Sequence, residues 1–212
     1  MRYIQFKQSS QEKIPMSPPK TKFTKEKIYE AAFAILKKKG WAQVSARSIA
    51  KALEASTMPI YSTVESMEEV EKELKARTIK TMHEFQLGQY TDNPFLNSAL
   101  GYILFARNLP HLFRFLYFER PEPVSGQELK ELKKRLPKEL RELAVDYFRQ
   151  KAPCDLNEVT LYNWIFTHGL AALLYSGVLT NLTDDEIITM LENSGKAFFK
   201  LENLKKKGPK NK

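Results

Sequence analysis

The sequence predicts an all-α protein, and three observations carry that expectation. Apolar residues recur at spacings of three and four behind Ser, Thr or Asp residues able to cap a helix. The chain has only 8 glycines in 212 residues, about half the usual share, which argues against a turn-rich all-β fold. No run of alternating β-branched residues competes with the helical pattern.

Thr24 is placed to cap a first helix in which Ile28, Ala31, Ala32, Ile35 and Leu36 follow the i, i+3, i+4, i+7, i+8 pattern. Phe23 and Ile28 have the spacing of a hydrophobic staple, and Gly40 supplies the stop. Ser45 can cap a short second helix that buries Ile49, Ala50 and Leu53, with Val44 and Ile49 as its staple. After a break at Glu54 and Ala55, Ser56 is a cap candidate for a third helix. Pro59 falls in its first turn, where no intrahelical N–H is needed. Ser66-Met67-Glu68-Glu69 predicts a capping box opening a fourth helix, 67–87. Further helices are predicted near 94–108, 110–118, 127–136, 137–151, 156–179 and 184–204. The last of these opens on a second capping box, Thr183-Asp184-Asp185-Glu186, stapled by Leu182 and Ile187.

Hydrophobic residues at 42% and aromatics at 11% supply enough apolar surface for a core and exclude global disorder. The single cysteine, Cys154, can form no internal disulfide, and no segment reads as a signal peptide or a membrane span. A cytoplasmic setting is therefore expected. The net charge of +9 is uneven: residues 1–64 carry +8, residues 65–204 carry −4 and residues 205–212 carry +5. A basic first third fits a polyanion partner, although charge alone fits solvating lysines equally. The expected organisation is a flexible basic arm over 1–22, a compact helical unit over 23–70, helix 67–87 joining it to a second helical domain over 88–204, and a disordered basic tail over 205–212.

Residues 45–64 read as two short helices joined by a tight turn, a helix-turn-helix in which the second helix can enter a major groove. Ile49, Leu53, Ile60 and Val64 would close the joint against Ile35, Leu36 and Trp41. Arg47, Thr57, Met58, Ser62 and Thr63 would then point outward. Residues 24–75 resemble the N-terminal domain of the TetR family of transcriptional regulators: Ile28, Ala31, Ala32, Leu36 and Gly40, then Ser45, Arg47, Ile49 and Ala50, then Ile60-Tyr61 and Ser66-x-Glu68-Glu69 stand in that family's order and spacing. The resemblance implies a homodimer, paired through its last two helices, on the double-stranded DNA of a palindromic operator. It implies that Arg47 contacts DNA, that Thr57, Met58 and Pro59 face base edges, and that Tyr61 and Thr63 contact phosphates. Lys22, Lys25, Lys27, Ser45, Ser56 and Ser62 complete the expected surface. Two positions depart from the family pattern. Glu54 stands where a turn glycine is common, and Met67, beside Glu65, Glu68 and Glu69, stands where a phosphate-reaching lysine is common.

Trp164-x3-His168-Gly169-Leu170 is similar to the C-terminal domain of a subset of the same family, which implies a cavity for a small-molecule effector of unknown identity. Tyr102, Phe105, Phe113, Tyr147, Tyr162, Trp164 and Phe166 are the aromatic candidates for its lining, with Phe118 and Phe148 behind them. Each taken singly reads first as core, because aromatic residues at helical spacing fill an interior more often than they line a pocket. The tyrosines and Trp164 are favoured because they add a polar handle to an apolar body. His168 reads first as a hydrogen-bonded structural histidine and second as a ligand contact. Arg107 and Arg114 read as a solvated face, and Cys154 as an inert thiol before an oxidant sensor.

No cofactor or metal is expected, and no enzyme: His83, His111 and His168 lack Cys or carboxylate partners at ligand spacing, and no glycine-rich phosphate loop or nucleophile–base motif occurs. The functional expectation is a transcriptional regulator, a repressor released by its effector. The alternative is a helical dimeric interaction module that keeps the fold and has lost operator binding.

Overall fold

The structure, a computed structural model, describes residues 23–130, 142 and 156–206. The arm over 1–22 with Lys22, the helix expected over 137–151 with Tyr147 and Phe148, Cys154, and tail residues 207–212 lie outside the described residues.

The described residues form helices and contain no strand. In chain order they are α1 (Lys25–Lys39), a 3-10 turn (Trp41–Gln43), α2 (Ala46–Ala52), α3 (Met58–Thr63), α4 (Met67–Gln86), α5 (Pro94–Asn108), α6 (Pro110–Arg114), a π turn (Phe115–Glu119), α7 (Gly126–Lys130), α8 (Leu156–Tyr175) and α9 (Asp184–Lys206). Helix α5 is the hub and packs on α4, α6, α8 and α9, while α1 packs on α2, α4 and α6. One buried cluster runs from Ile28 in α1 to Leu191 in α9.

Local chemistry sets most boundaries. Thr24 accepts a hydrogen bond from Lys27 N–H, and Gly40, at φ 84°, ends α1 with its own N–H on Leu36 O. Ser45 and Ser48 form a reciprocal capping box that opens α2. Asn93 accepts from Phe95 and Leu96 N–H at the head of α5, where Pro94 occupies the first turn. The expected box at Thr183 and Glu186 is reciprocal, at 2.8 and 3.3 Å.

Five expectations need correction. Helix α3 begins at Met58 without a side-chain cap, and Thr57 in front of it already has helical dihedrals. The physical reason is Pro59, which occupies the third position after Ser56 and has no N–H for the serine to accept. At the head of α4, Ser66 accepts from Glu69 N–H, but the Glu69 carboxylate turns instead to Glu65 N–H at 2.7 Å, so the box is not reciprocal. The segment 110–118 is α-helical only to Arg114 and then widens into the π turn, closed by Arg120 N–H on Phe115 O. Helix α8 stops at Tyr175 and not at Leu179, because Gly177 at φ 73° turns the chain and donates to Leu174 O. Lys205 and Lys206 belong to α9, so the tail does not begin at 205.

Helix α7 begins one residue earlier than expected, at Gly126, behind a Ser125–Glu128 capping box that the sequence displays and the periodicity overlooked. Arg107 and Arg114, expected as solvated, pair with Asp184 at 2.6 Å and Glu119 at 3.1 Å while remaining about half exposed.

Candidate functional site

Two surfaces hold the candidate residues. The first is the α2–α3 face. Ile49 and Ile60 are fully buried and Val64 nearly so, with Leu53, Ile35 and Trp41 packed against them. Burying that underside fixes which α3 side chains stand out: Met58 is 78% and Tyr61 66% exposed. Arg47, Ser56, Thr57 and Ser62 are exposed too, whereas Pro59 and Thr63 are half-buried. The Ser62 hydroxyl donates to Pro59 O at 3.1 Å, and that of Thr63 lies 3.5 Å from Phe23 O. Ser45 and Ser48 spend their hydroxyls on the α2 cap.

The flanking cations are not equivalent. Lys27 is exposed, but the Lys25 ammonium donates to Glu69, which also accepts from Tyr29 Oη at 2.6 Å. Hydrogen bonds from Lys25 first, then Tyr29 and Glu65 N–H, hold the Glu69 carboxyl down at about 2, while burial above all pushes the Tyr29 phenol up to about 12. Glu69 is therefore neutralised by α1, and Glu65 and Glu68 remain the exposed acids at the head of α4.

The second is a cavity of about 290 Å3 between α4, α5, the π turn, the α7 approach and α8. Its inner wall is apolar and aromatic: Ile79 and Met82 from α4, Tyr102 from α5, Leu116 and Tyr117 from the π turn and Trp164 from α8. Of the sequence candidates, Tyr102 and Trp164 are brought together here. Phe105 and Phe113 are fully buried in the core and do not line it: on α5 it is Tyr102 that reaches the cavity, and Phe113 belongs to α6, which contributes no lining residue among the described ones. Tyr162 and Phe166 turn to Phe198 of α9, with ring centroids 5.7 and 6.5 Å away. His168 stands behind the wall: its Nδ1 shares a 2.8 Å hydrogen bond with Tyr102 Oη, and its ring stacks on Trp164 at 5.6 Å. Burial lowers its pKa, which favours the neutral imidazole. Burial also raises the Tyr102 and Tyr117 phenols.

Sequence reasoning missed Met82, Gln86 and Tyr117. Gln86 is 8% exposed and contributes to the cavity lining, and among the described residues its Oε1, itself sealed from solvent, has no hydrogen-bond partner. The available signal was Gly101 in an otherwise apolar helix. A Cβ there would sit 2.1 Å from Phe85 O and 2.7 Å from Gln86 Cα, so the glycine permits backbone contact between α5 and the last turn of α4.

Arg120 joins the two surfaces. It lines the cavity, its guanidinium stands 5.4 Å over the Trp41 ring, and its Nε is 3.6 Å from Glu71. Trp41 in turn packs on Phe115 at 5.1 Å. Among the described residues no group of three or more His, Cys, Asp or Glu could hold a metal, and no helix is long and apolar enough to cross a membrane.

Residues 95–192 match the model of the tetracyclin repressor-like C-terminal domain. No curated protein matches the chain. The matched segment runs from the first turn of α5 into α9 and contains the aromatic wall contributed by Tyr102, Tyr117 and Trp164, so this part of the chain is similar to the C-terminal domain of tetracyclin repressor-like proteins.

Proposed function

We propose that the chain is a homodimeric, DNA-binding transcriptional regulator, a repressor that leaves a palindromic operator when a small molecule enters the cavity. The observation that carries this reading is the α3 face: a six-residue helix with a buried underside presents Met58 and Tyr61 to solvent, beside exposed Arg47 and Lys27. Large exposed side chains on a firmly seated short helix suit a groove reader. Arg47, Tyr61 and the exposed hydroxyls supply phosphate or base contacts, and Met58 suits a thymine methyl. Ser45 contributes through its cap and not through a free hydroxyl. With Lys25 engaged by Glu69, exposed Lys27 is the flanking cation of the described residues that phosphates can reach, and to it we add Lys22 from the arm.

Dimerisation through α8 and α9 is supported by apolar side chains that one protomer leaves exposed, Ile165 and Leu173 on α8 and Met190 and Leu201 on α9. A two-fold dimer presents two copies of α3, as a palindrome requires. A helical interaction module without operator recognition is the second reading, favoured by exposed Glu65 and Glu68 beside the α3 face.

Selection from random duplex DNA separates the two readings, because only the regulator enriches a palindrome with affinity that falls steeply as salt rises. On the selected site, Arg47→Ala and Tyr61→Ala should each weaken binding by about tenfold or more, with the dimer intact by sedimentation. Unchanged affinity in both variants would sink the operator assignment.

A further inference from the structure

Helix α8 serves two different hollows. Trp164 lines the cavity described above, whereas Asn163 and Thr167, about 100° round the helix from it, line a separate cleft of about 230 Å3 between α5, α8 and α9. Both residues are more than nine-tenths buried. The Asn163 amide nitrogen donates to Val159 O at 2.8 Å, but its Oδ1 and the Thr167 hydroxyl bond to no described group. The unpaired side-chain atoms sealed from solvent among the described residues are Gln86 Oε1 and Glu119 Oε2. The oxygens of Asn163 and Thr167 are therefore open, and the cleft is where they open. Gly195 of α9 keeps the first of them uncovered: a Cβ there would stand 3.6 Å from Oδ1. Phe95 and Leu96 of α5 and Leu191 and Phe199 of α9 supply apolar walls, and the Lys196–Glu192 pair, at 2.9 Å, stands at the exposed rim. Polar atoms recessed among apolar side chains and left without a protein partner are satisfied by water or by a ligand. Here they form a complementary couple, since Asn163 Oδ1 accepts and the Thr167 hydroxyl can donate, one helical turn apart on the same face.

We propose that this cleft is a second small-molecule site, for a primary carboxamide on an apolar body. An N–H of the ligand donates to Asn163 Oδ1, its carbonyl accepts from the Thr167 hydroxyl, and its body lies against Phe95 and Phe199. The site is distinct from the cavity at Trp164 and does not depend on the effector reading of that cavity.

Two probes of nearly one shape test this by calorimetric titration of the full chain: benzamide, and acetophenone, in which a methyl group replaces the amide NH2. Benzamide should bind about tenfold tighter. In Asn163→Leu, an apolar replacement of similar shape, that preference should fall to near unity. In Thr167→Val both probes should weaken several-fold, because both present a carbonyl. Gly195→Leu, which sets a strong helix former over Oδ1, should abolish benzamide binding. Equal binding of the two probes by the unaltered protein, or no binding of benzamide, overturns the inference, and neither result depends on whether a variant folds. Benzamide affinity that is unchanged in any of the three variants places the probe elsewhere and overturns it as well.

Discussion

Glu54 occupies the left-handed region at φ 53°, in the turn between α2 and α3. A side chain in that conformation costs on the order of 1–2 kcal/mol, against roughly 0.5–1 kcal/mol of extra chain entropy that a glycine gives up on folding. Glu54→Gly is therefore expected to stabilise the protein by roughly 0.5 kcal/mol, read as a raised midpoint in urea at unchanged slope. A lowered midpoint would mean that the glutamate makes a stabilising contact outweighing its backbone conformation. The same turn is where the sequence departs from the family pattern, so the strained position could be read from the chain before any coordinate. The missing cap of α3 could have been read too: a proline three residues after a serine removes the donor a cap needs, and the cap expectation for Ser56 ignored it. Gln86 could not. Nothing in its neighbours distinguishes a solvated glutamine from one sealed against α5, because that depends on the packing partner of α4.

At the scale of elements, the head of α4 is clamped to α1. Glu69 takes hydrogen bonds from Lys25 and Tyr29, and Arg77 reaches back to Glu26 at 2.8 Å while bonding Glu73 at 2.7 Å. The Glu69 carboxyl is held at about 2 in the folded protein, below its ordinary 4.5. Stability from this clamp is present above the ordinary value and is lost as pH falls from about 4.5 towards about 2. Thermal unfolding followed from pH 6 to pH 2 should show a shallower acid fall for Glu69→Gln than for the unaltered protein. Parallel curves would assign the acid limb to other carboxylates. Helix starts at Thr24, Ser45 and Thr183 were legible because a cap and its receiver lie within four residues. The diversion of Glu69 was not: one oxygen takes Glu65 N–H only four residues away, but the other is held by Lys25 and Tyr29, 44 and 40 residues away, beyond any local spacing rule. The aromatic wall falls between these cases. Tyr102 and Trp164 stood out for their polar handles, but periodicity could not separate them from Phe105 and Phe113, which share their helices' apolar character and fill the core.

Across the whole molecule, the buried cluster that begins under α1 continues without a break into α9, so the two candidate surfaces share one packed interior. Arg120 touches both, on the cavity wall and over Trp41. A cation over an indole is worth on the order of 0.5–1 kcal/mol when partly exposed, which is comparable with the lower end of the 1–3 kcal/mol couplings typical between distant sites. Arg120→Ala is therefore expected to keep effector binding within about twofold and to reduce the loss of operator affinity caused by saturating effector several-fold, measured by anisotropy of a labelled duplex. Full retention of that coupling would assign the connection to α4 alone.

The contact at Gly101 also has a mechanical consequence. Backbone meets backbone there, so α4 cannot slide along α5 without collision, and the movement that preserves the contact is a pivot about it. The contact lies in the last turn of α4, and the opposite end, Met67, is 19 residues away, roughly 28 Å at about 1.5 Å per residue. The helix is thus a lever with its fulcrum beside the cavity and its long arm ending where α1 is clamped. A tilt of only about 5° at the fulcrum sweeps the far end through roughly 2.5 Å over that length, so a displacement small beside Gly101 becomes one of side-chain size at the junction of α4 with α1.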